Sequence, residues 1–191
     1  MRFFATLAIA LTFAGSLWAA SAENTLMIEV AGHNPGVIEI ELLPDVAPKH
    51  VARIKKLARE GTYDNVVFHR VIAGFMAQTG DVQNGNKDSF NPRYAGSGAS
   101  KYPNLPAEFS EIPFKTGTLG MARGQDPNSA NAQFFIMFND YPALNNQYTV
   151  FGQVVKGQKT VDKIKKGSKS ANGAVASTPD YMKRVWIKSD E

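Results

Sequence analysis

The residues best equipped for chemistry lie between Phe68 and Asp81, in the run FHRVIAGFMAQTGD. Phe68, Val71, Phe75 and Met76 bring apolar bulk, while His69, Arg70 and Gln78 bring hydrogen-bonding nitrogen. Read as a strand, Phe68 to Ile72 sends alternate side chains to opposite faces, so Arg70 shares a face with Phe68 and Ile72 and turns away from His69 and Val71. Two readings of this arginine stand open. Its stem can lie over the core with the guanidinium in water, or it can form a donor fork at the rim of an apolar pocket. A second stretch, Gln133 to Phe138 (QFFIMF), favours the fork: an amide again stands beside aromatics, and Gln133, Phe135 and Met137 would share one strand face.

Covalent catalysis finds no comparable set. There is no Gly-x-Ser-x-Gly elbow, and each histidine has a plain explanation: His33 in a turn, His50 on a helix, His69 on the face opposite Arg70. The three are scattered and form no helical metal pair. Cysteine is absent, which removes disulfides, thiol catalysis and zinc-thiolate sites. The acidic residues offer no pair suggestive of glycoside cleavage. What remains is a pocket of aromatics and amides with one arginine, needing no metal or cofactor and suited to a reaction that breaks no covalent bond.

The elements that must position this pocket are short. Thr25 to Val30 and Val37 to Leu42 alternate as a hairpin across Gly32-His33-Asn34-Pro35-Gly36. Asp45 is placed to cap a helix that Pro48 begins and Gly61 ends, with Val51, Ile54, Leu57 and Ala58 inward and Lys49, Arg53, Lys56 and Arg59 in water. After Phe68 to Ile72, a break at Ala73-Gly74 leads to a strand over Met76 to Thr79. From Asp81 to Thr116 periodicity dissolves into a long loop of the kind that is functional or mobile. Its glycines lack the preceding strand, the Gly-Lys-Ser/Thr ending and the following helix of a phosphate loop. Further strands are expected over Thr118–Met121, Gln133–Met137, Val150–Val155 and Arg184–Lys188, and a second helix over Gln158–Lys166 closed by Gly167. Eight strands and two helices without an internal repeat predict a mainly β fold, a closed eight-stranded antiparallel β-barrel capped by two α-helices.

The chain has 191 residues and a formal net charge of +4, with 43% hydrophobic and 20% charged residues, the composition of one ordinary globular domain. The knot of Lys159, Lys163, Lys165 and Lys166 reads as a solvated helix face, and no nucleic-acid partner is expected. Residues 1–22 differ: Arg2 precedes an uncharged, largely apolar run from Phe3 to Trp18, and Ala20-Ser21-Ala22 fits a small-x-small cleavage rule. We expect a signal peptide over 1–22, a mature domain over 23–191, and no stable membrane insertion after cleavage. An uncleaved anchor would call for a more hydrophobic run.

Three separated motifs in register carry a resemblance. FHRVIAGFMAQTGD, GTLGMARGQDPNSANAQFFIMF (Gly117 to Phe138) and VFGQVVKG (Val150 to Gly157) are together similar to the cyclophilin family of peptidyl-prolyl cis-trans isomerases, over nearly all of the chain after residue 24. The resemblance implies a barrel with a solid interior and a site on its outer wall. It implies that Arg70 is the catalytic donor, that Phe75, Met76, Phe135 and Leu144 seat a proline ring, and that Gln78 and Gln133 hold the guanidinium and the substrate backbone. Ala122 and Arg123 would lie along the peptide groove, with Tyr148 where a histidine commonly sits. From residues alone, Phe75, Phe135 and Leu144 read first as barrel core.

Three departures from the family pattern stand out. Ala143 replaces a tryptophan of many eukaryotic members, which speaks against tight cyclosporin binding. Arg123 stands where asparagine is common, adding a positive charge that favours acidic peptide neighbours, and Tyr148 offers a phenol in place of a ring nitrogen. The expected partners are proline-containing polypeptides, and the expected form is a monomer that assists folding of exported proteins. The leader and the MAR-x-x-DP pattern at Met121 to Pro127, shared with bacterial cyclophilins, point to a periplasm. The alternative is a non-catalytic proline-peptide-binding chaperone module on the same fold. A lipocalin-like carrier is disfavoured by the helix after the second strand.

Overall fold

The computed structural model describes residues 21–191. The expected leader, apart from Ser21 and Ala22, lies outside the described residues. The chain opens with the hairpin of β1 (Thr25–Ala31) and β2 (Gly36–Leu42), whose register sets Ile28 opposite Ile38 and Leu26 opposite Ile40. Helix α1 (Pro48–Arg59) follows. Then come β3 (Val66–Val67), β4 (Arg70–Ile72), β5 (Met76–Thr79), β6 (Thr118–Met121), β7 (Phe134–Met137) and β8 (Val150–Lys156). Helix α2 (Gln158–Lys163) and β9 (Tyr181–Ile187) complete the set.

The mainly β expectation with two helices holds, but the closed eight-stranded barrel does not. Among the described residues, nine strands form one antiparallel sheet in the order β3-β9-β1-β2-β8-β6-β7-β5-β4, curled into an open half-barrel. The reason lies at Phe68 and His69, which leave the ladder. The Phe68 N–H donates to the Asp180 carbonyl and the His69 carbonyl accepts from Val175 N–H, both at 2.9 Å. The strand expected over Phe68 to Ile72 therefore shortens to β4, and β3, not expected from sequence, forms just before it at the opposite edge of the sheet. The break also resets the alternation. Phe68 and Val71 both enter the main core, while Arg70 and Ile72 face the other way.

That main core packs Leu26, Ile28, Ile38, Ile40, Phe134, Ile136 and Phe151 under Ile54 and Leu57 of α1 and Val161 of α2. Along β7 the alternation separates Phe134 and Ile136 in this core from Phe135 and Met137 in a second, smaller cluster with Met76, Phe114 and Val150. The site rests on the second cluster.

Four local expectations need correction. Asp45 does not cap α1: Ala47 holds the cap position, and the orphan N–H groups of Lys49 and His50 donate at 3.1 Å to Glu108, brought in from the long loop. The His50 ring adds Nδ1 to the same carboxylate at 2.7 Å. Arg53 is not simply in water, since it stacks 5.1 Å from the Tyr102 ring centroid and donates to the Pro103 and Asn131 carbonyls. Helix α2 stops at Lys163, and the Gly167 N–H instead bonds the Val71 carbonyl. Of the lysine knot, Lys166 covers the Phe138 ring at 4.2 Å and Lys165 bonds the Ser177 and Thr178 carbonyls.

The long loop is ordered by one fully buried carboxylate. Asp81 accepts backbone N–H from Gln83, Asn84, Gly96 and Gly98, folding the loop back onto the end of β5. A Cβ on Gly98 would run into that carboxylate, so the closure requires glycine there.

Candidate active site

Strand pairing assembles the site. The β4–β5 ladder sets Arg70 opposite Gln78, the β5–β7 ladder sets Gln78 opposite Phe135, and the β6–β7 ladder sets Gly120 opposite Phe135. Four side chains or gaps thus come to one face from four strands. Gly120 is part of the geometry, because a Cβ there would overlap the rings of Phe135 and Phe114. With that space open, the two rings stack at 5.7 Å and Phe135 meets Tyr148 edge-on at 5.7 Å. Phe75, after the turn at Gly74, packs against Tyr141 at 4.5 Å.

The result is a hollow of ≈ 160 Å³ lined by Arg70, Phe75, Met76, Gln78, Ala122, Arg123, Phe135, Leu144 and Tyr148. Nine of the ten residues expected from sequence share this one wall. The tenth, Gln133, lines the adjoining hollow and reaches the first through Gln78. Leu144 arrives on the short 3-10 turn Pro142–Leu144, and Ala122 is held by its N–H donating to the Gln133 carbonyl at 2.9 Å.

Arg70 is half-buried and its guanidinium is held in plane. Nε donates to the Asn172 carbonyl at 3.0 Å, Nη2 to Asn172 Oδ1 at 3.1 Å, and Nη1 to Gln78 Oε1 at 3.0 Å. Gln78 Nε2 then donates to Gln133 Oε1 at 3.1 Å, and Gln133 Nε2 to the Gly96 and Gly98 carbonyls at 3.0 and 2.8 Å. A relay of amides thus ties the cation to the loop that Asp81 closes. Every acceptor Arg70 reaches is a neutral oxygen, so its charge is positioned without being cancelled. A guanidinium carries five N–H donors, and with three engaged, two are left for whatever occupies the hollow. Burial holds its pKa below the usual arginine value, with no change of charge near neutral pH.

Sequence reasoning missed Asn172 and misjudged His69. Asn172 supplies two of the three acceptors that orient Arg70 from a left-handed backbone position, φ 51. Its only signal was the turn-forming pair Asn172-Gly173, and nothing in the order of residues ties that pair to a strand so far upstream. His69 is not turned away. With Arg70 and Gln78 it lines a further hollow of ≈ 360 Å³ behind the guanidinium. Neither ring nitrogen has a partner among the described residues, and burial pushes its pKa down to about 4, the Asp81 carboxylate opposing and the Arg70 cation assisting. Among the described residues no group of three or more His, Asp or Glu side chains is placed to hold a metal. No described helix is long and apolar enough to cross a membrane.

An apolar seat beside an oriented, uncancelled cation can bind a neutral, partly apolar group and donate hydrogen bonds to charge that develops on it. Comparison with known proteins agrees in kind. The family model described as cyclophilin type peptidyl-prolyl cis-trans isomerase/CLD matches residues 25–187. A "Probable peptidyl-prolyl cis-trans isomerase" of Brucella suis biovar 1 is 59% identical over 173 residues, covering 90% of this chain and 86% of that one. A cyclophilin crystal structure from Hirschia baltica superposes with TM-score 0.74 at 25% identity, over 90% of this chain and 76% of its own. A Cryptosporidium parvum cyclophilin type isomerase, crystallised in the presence of the dipeptide ala-pro, gives TM-score 0.69 at 26% identity, over 85% of this chain and 98% of its own. With the family match running through β1 to β9 and the amide-bound arginine on the sheet's outer face, the chain belongs to the cyclophilin type peptidyl-prolyl cis-trans isomerases.

Proposed function

We propose that the hollow seats the proline ring of an X-Pro segment and that Arg70 donates to the proline nitrogen as the peptide bond twists. Rotation about a peptide bond faces a barrier of about 18 to 20 kcal/mol from amide resonance, and uncatalysed X-Pro isomerisation takes tens to hundreds of seconds. The twisted amide has lost that resonance, so its nitrogen regains a lone pair that accepts a hydrogen bond. The planar amide offers none there. A donor aimed at that atom binds the transition state selectively, and each roughly 1.4 kcal/mol gained is about tenfold in rate. Phe75, Met76, Phe135 and Leu144 exclude water from the bond and leave the other half of the segment free to turn. Gln78 and Gln133 hold the guanidinium, while Ala122, Arg123 and Tyr148 border the neighbouring peptide.

The observation that carries this reading is the pair of unengaged N–H groups on Arg70, which stands at the wall of an apolar hollow with only neutral acceptors. A module that only bound proline segments has no use for such a donor. The presence of ala-pro with the Cryptosporidium protein supports proline segments as ligands. The test is cis-trans exchange of a proline peptide measured by NMR with catalytic amounts of the purified protein, and exchange no faster than the uncatalysed rate overturns the assignment.

In the cell we propose export through the leader over 1–22 and action as a monomer on newly exported chains in a periplasm. The charged Arg2, the apolar run and the Ala20-Ser21-Ala22 site support this. Mass spectrometry of the exported protein should give a chain beginning at Glu23, and a chain retaining residues 1–22 overturns the proposal.

A further inference from the structure

We infer that the site selects proline segments that carry an acidic side chain beside the proline, and that Arg123 sets this selectivity. The inference rests on the proline seat proposed above. The seat and the adjoining hollow of ≈ 360 Å³ share Gln78, Ala122 and Arg123, so a segment whose proline fills the first runs over Arg123 as it enters the second. Among the described residues, no Asp or Glu lines either wall. The acids nearest in sequence are committed elsewhere: Asp81 is fully buried on backbone N–H groups, and Asp126 Oδ1 closes its own turn on Asn128 N–H.

Arg123 is a fixed charge rather than a waving one. Nε and Nη2 donate to the Gln147 carbonyl at 3.2 and 2.9 Å, Nη1 to the Gly124 and Gln125 carbonyls at 2.9 and 3.3 Å, and the guanidinium lies 4.6 Å from the Tyr148 ring centroid. As with Arg70, each acceptor is neutral. Two oriented guanidinium groups therefore line one hollow, and among the described residues no Asp or Glu lines it with them. Orientation is complete before a ligand arrives, so a carboxylate gains attraction without the entropy of ordering an arginine side chain. A lysine or arginine beside the proline meets two like charges instead.

The test compares kcat/KM for peptides identical except for Glu, Gln or Lys placed one or two residues before or after the proline. On the flank that crosses Arg123, the Glu peptide should exceed the Lys peptide by about tenfold, attraction acting on one and repulsion on the other. The difference should sit mainly in KM, because the charge lies away from the rotating bond. It should shrink as ionic strength rises from about 0.01 to about 1 M, where the screening length falls from about 30 to about 3 Å. Arg123→Gln should bring the Glu/Lys ratio close to one, Arg123→Glu should invert it, and Arg123→Lys should keep most of it, which separates charge from loop packing. A ratio of one in the unaltered protein, or a preference that survives Arg123→Gln unchanged, overturns the inference while leaving the proline seat intact. Failure to turn over any of the peptides overturns the seat, and this inference with it.

Discussion

Replacing Arg70 with alanine tests the proposed chemistry most directly, because its effects on folding, binding and turnover are expected to differ. The change deletes three hydrogen bonds, to Asn172 O, Asn172 Oδ1 and Gln78 Oε1. These bonds exchange with water at a half-exposed site, and a net hydrogen bond is worth about 0.5 to 1.5 kcal/mol when both partners stay dry. The acceptors left behind can be hydrated, so the cost in stability should stay near about 1 kcal/mol. Binding of the planar peptide should change little, since its proline nitrogen has no lone pair for the missing donor to meet. Turnover should fall by about 10² to 10³, the usual effect of removing one preorganised donor from a developing charge. Arg70→Lys keeps the charge but not the planar fork that spans Asn172 and Gln78, and should fall between. Line-shape or exchange NMR on one proline peptide yields the exchange rate and the dissociation constant from the same sample. A loss of turnover below about tenfold, or a rise in the dissociation constant that matches the loss in turnover, would refute the reasoning.

Other consequences follow from groups around the site. His69 has a folded pKa of about 4 against an ordinary 6.5, so the unfolded chain binds the extra proton first as pH falls. Stability from this residue is complete above pH 6.5, declines as pH drops from 6.5 towards 4, and amounts at most to about 3 kcal/mol; urea unfolding at several pH values should show a shallower decline for His69→Gln. Glu108→Ala should destabilise the fold by about 2 to 3 kcal/mol, because α1 loses its capping acceptor and the buried His50 ring loses its partner; a midpoint within about 0.5 kcal/mol of the unaltered protein would show the cap to be idle. Gly120→Ala should overpack the rings of Phe135 and Phe114, costing about 1 to 3 kcal/mol and reducing proline-peptide affinity together with turnover; unchanged affinity would mean that the seat does not depend on this gap.

The parts of the fold that were legible in sequence are those where opposite faces of a strand have different company. β5 and β6 were expected with the boundaries observed, and β7 with one residue more, because polar or glycine-rich breaks flank each. Which face of β7 carries Phe135 and Met137 followed from alternation alone. Helix α1 was legible from its apolar spacing, but its cap was not. Asp45 stood nearby, whereas Glu108 lies beyond three strands in the chain, and only the folded loop brings it to the helix. The split at Phe68 was equally hidden, since its cause is backbone pairing to Asp180 and Val175 in a segment with no periodicity.

The same difference between local pattern and distant partner explains why the site could be named in part but not explained from sequence. A cation on an apolar strand face signals that something must hold it, and alternation can say which neighbours share that face. It cannot say that the holder is the main-chain oxygen of Asn172, because a carbonyl carries no residue identity. Six acceptors bind the amide relay and its cation from Arg70 through Gln133, and four of them are backbone or distant-loop oxygens. Orientation of Arg70 is therefore a property of two loops that meet only after the sheet has curled. Substitutions outside the lining of the hollow, at the Asp81 hub or the Asn172-Gly173 turn, should then lower turnover by releasing the guanidinium while leaving unchanged the identity of every residue that lines the proline seat.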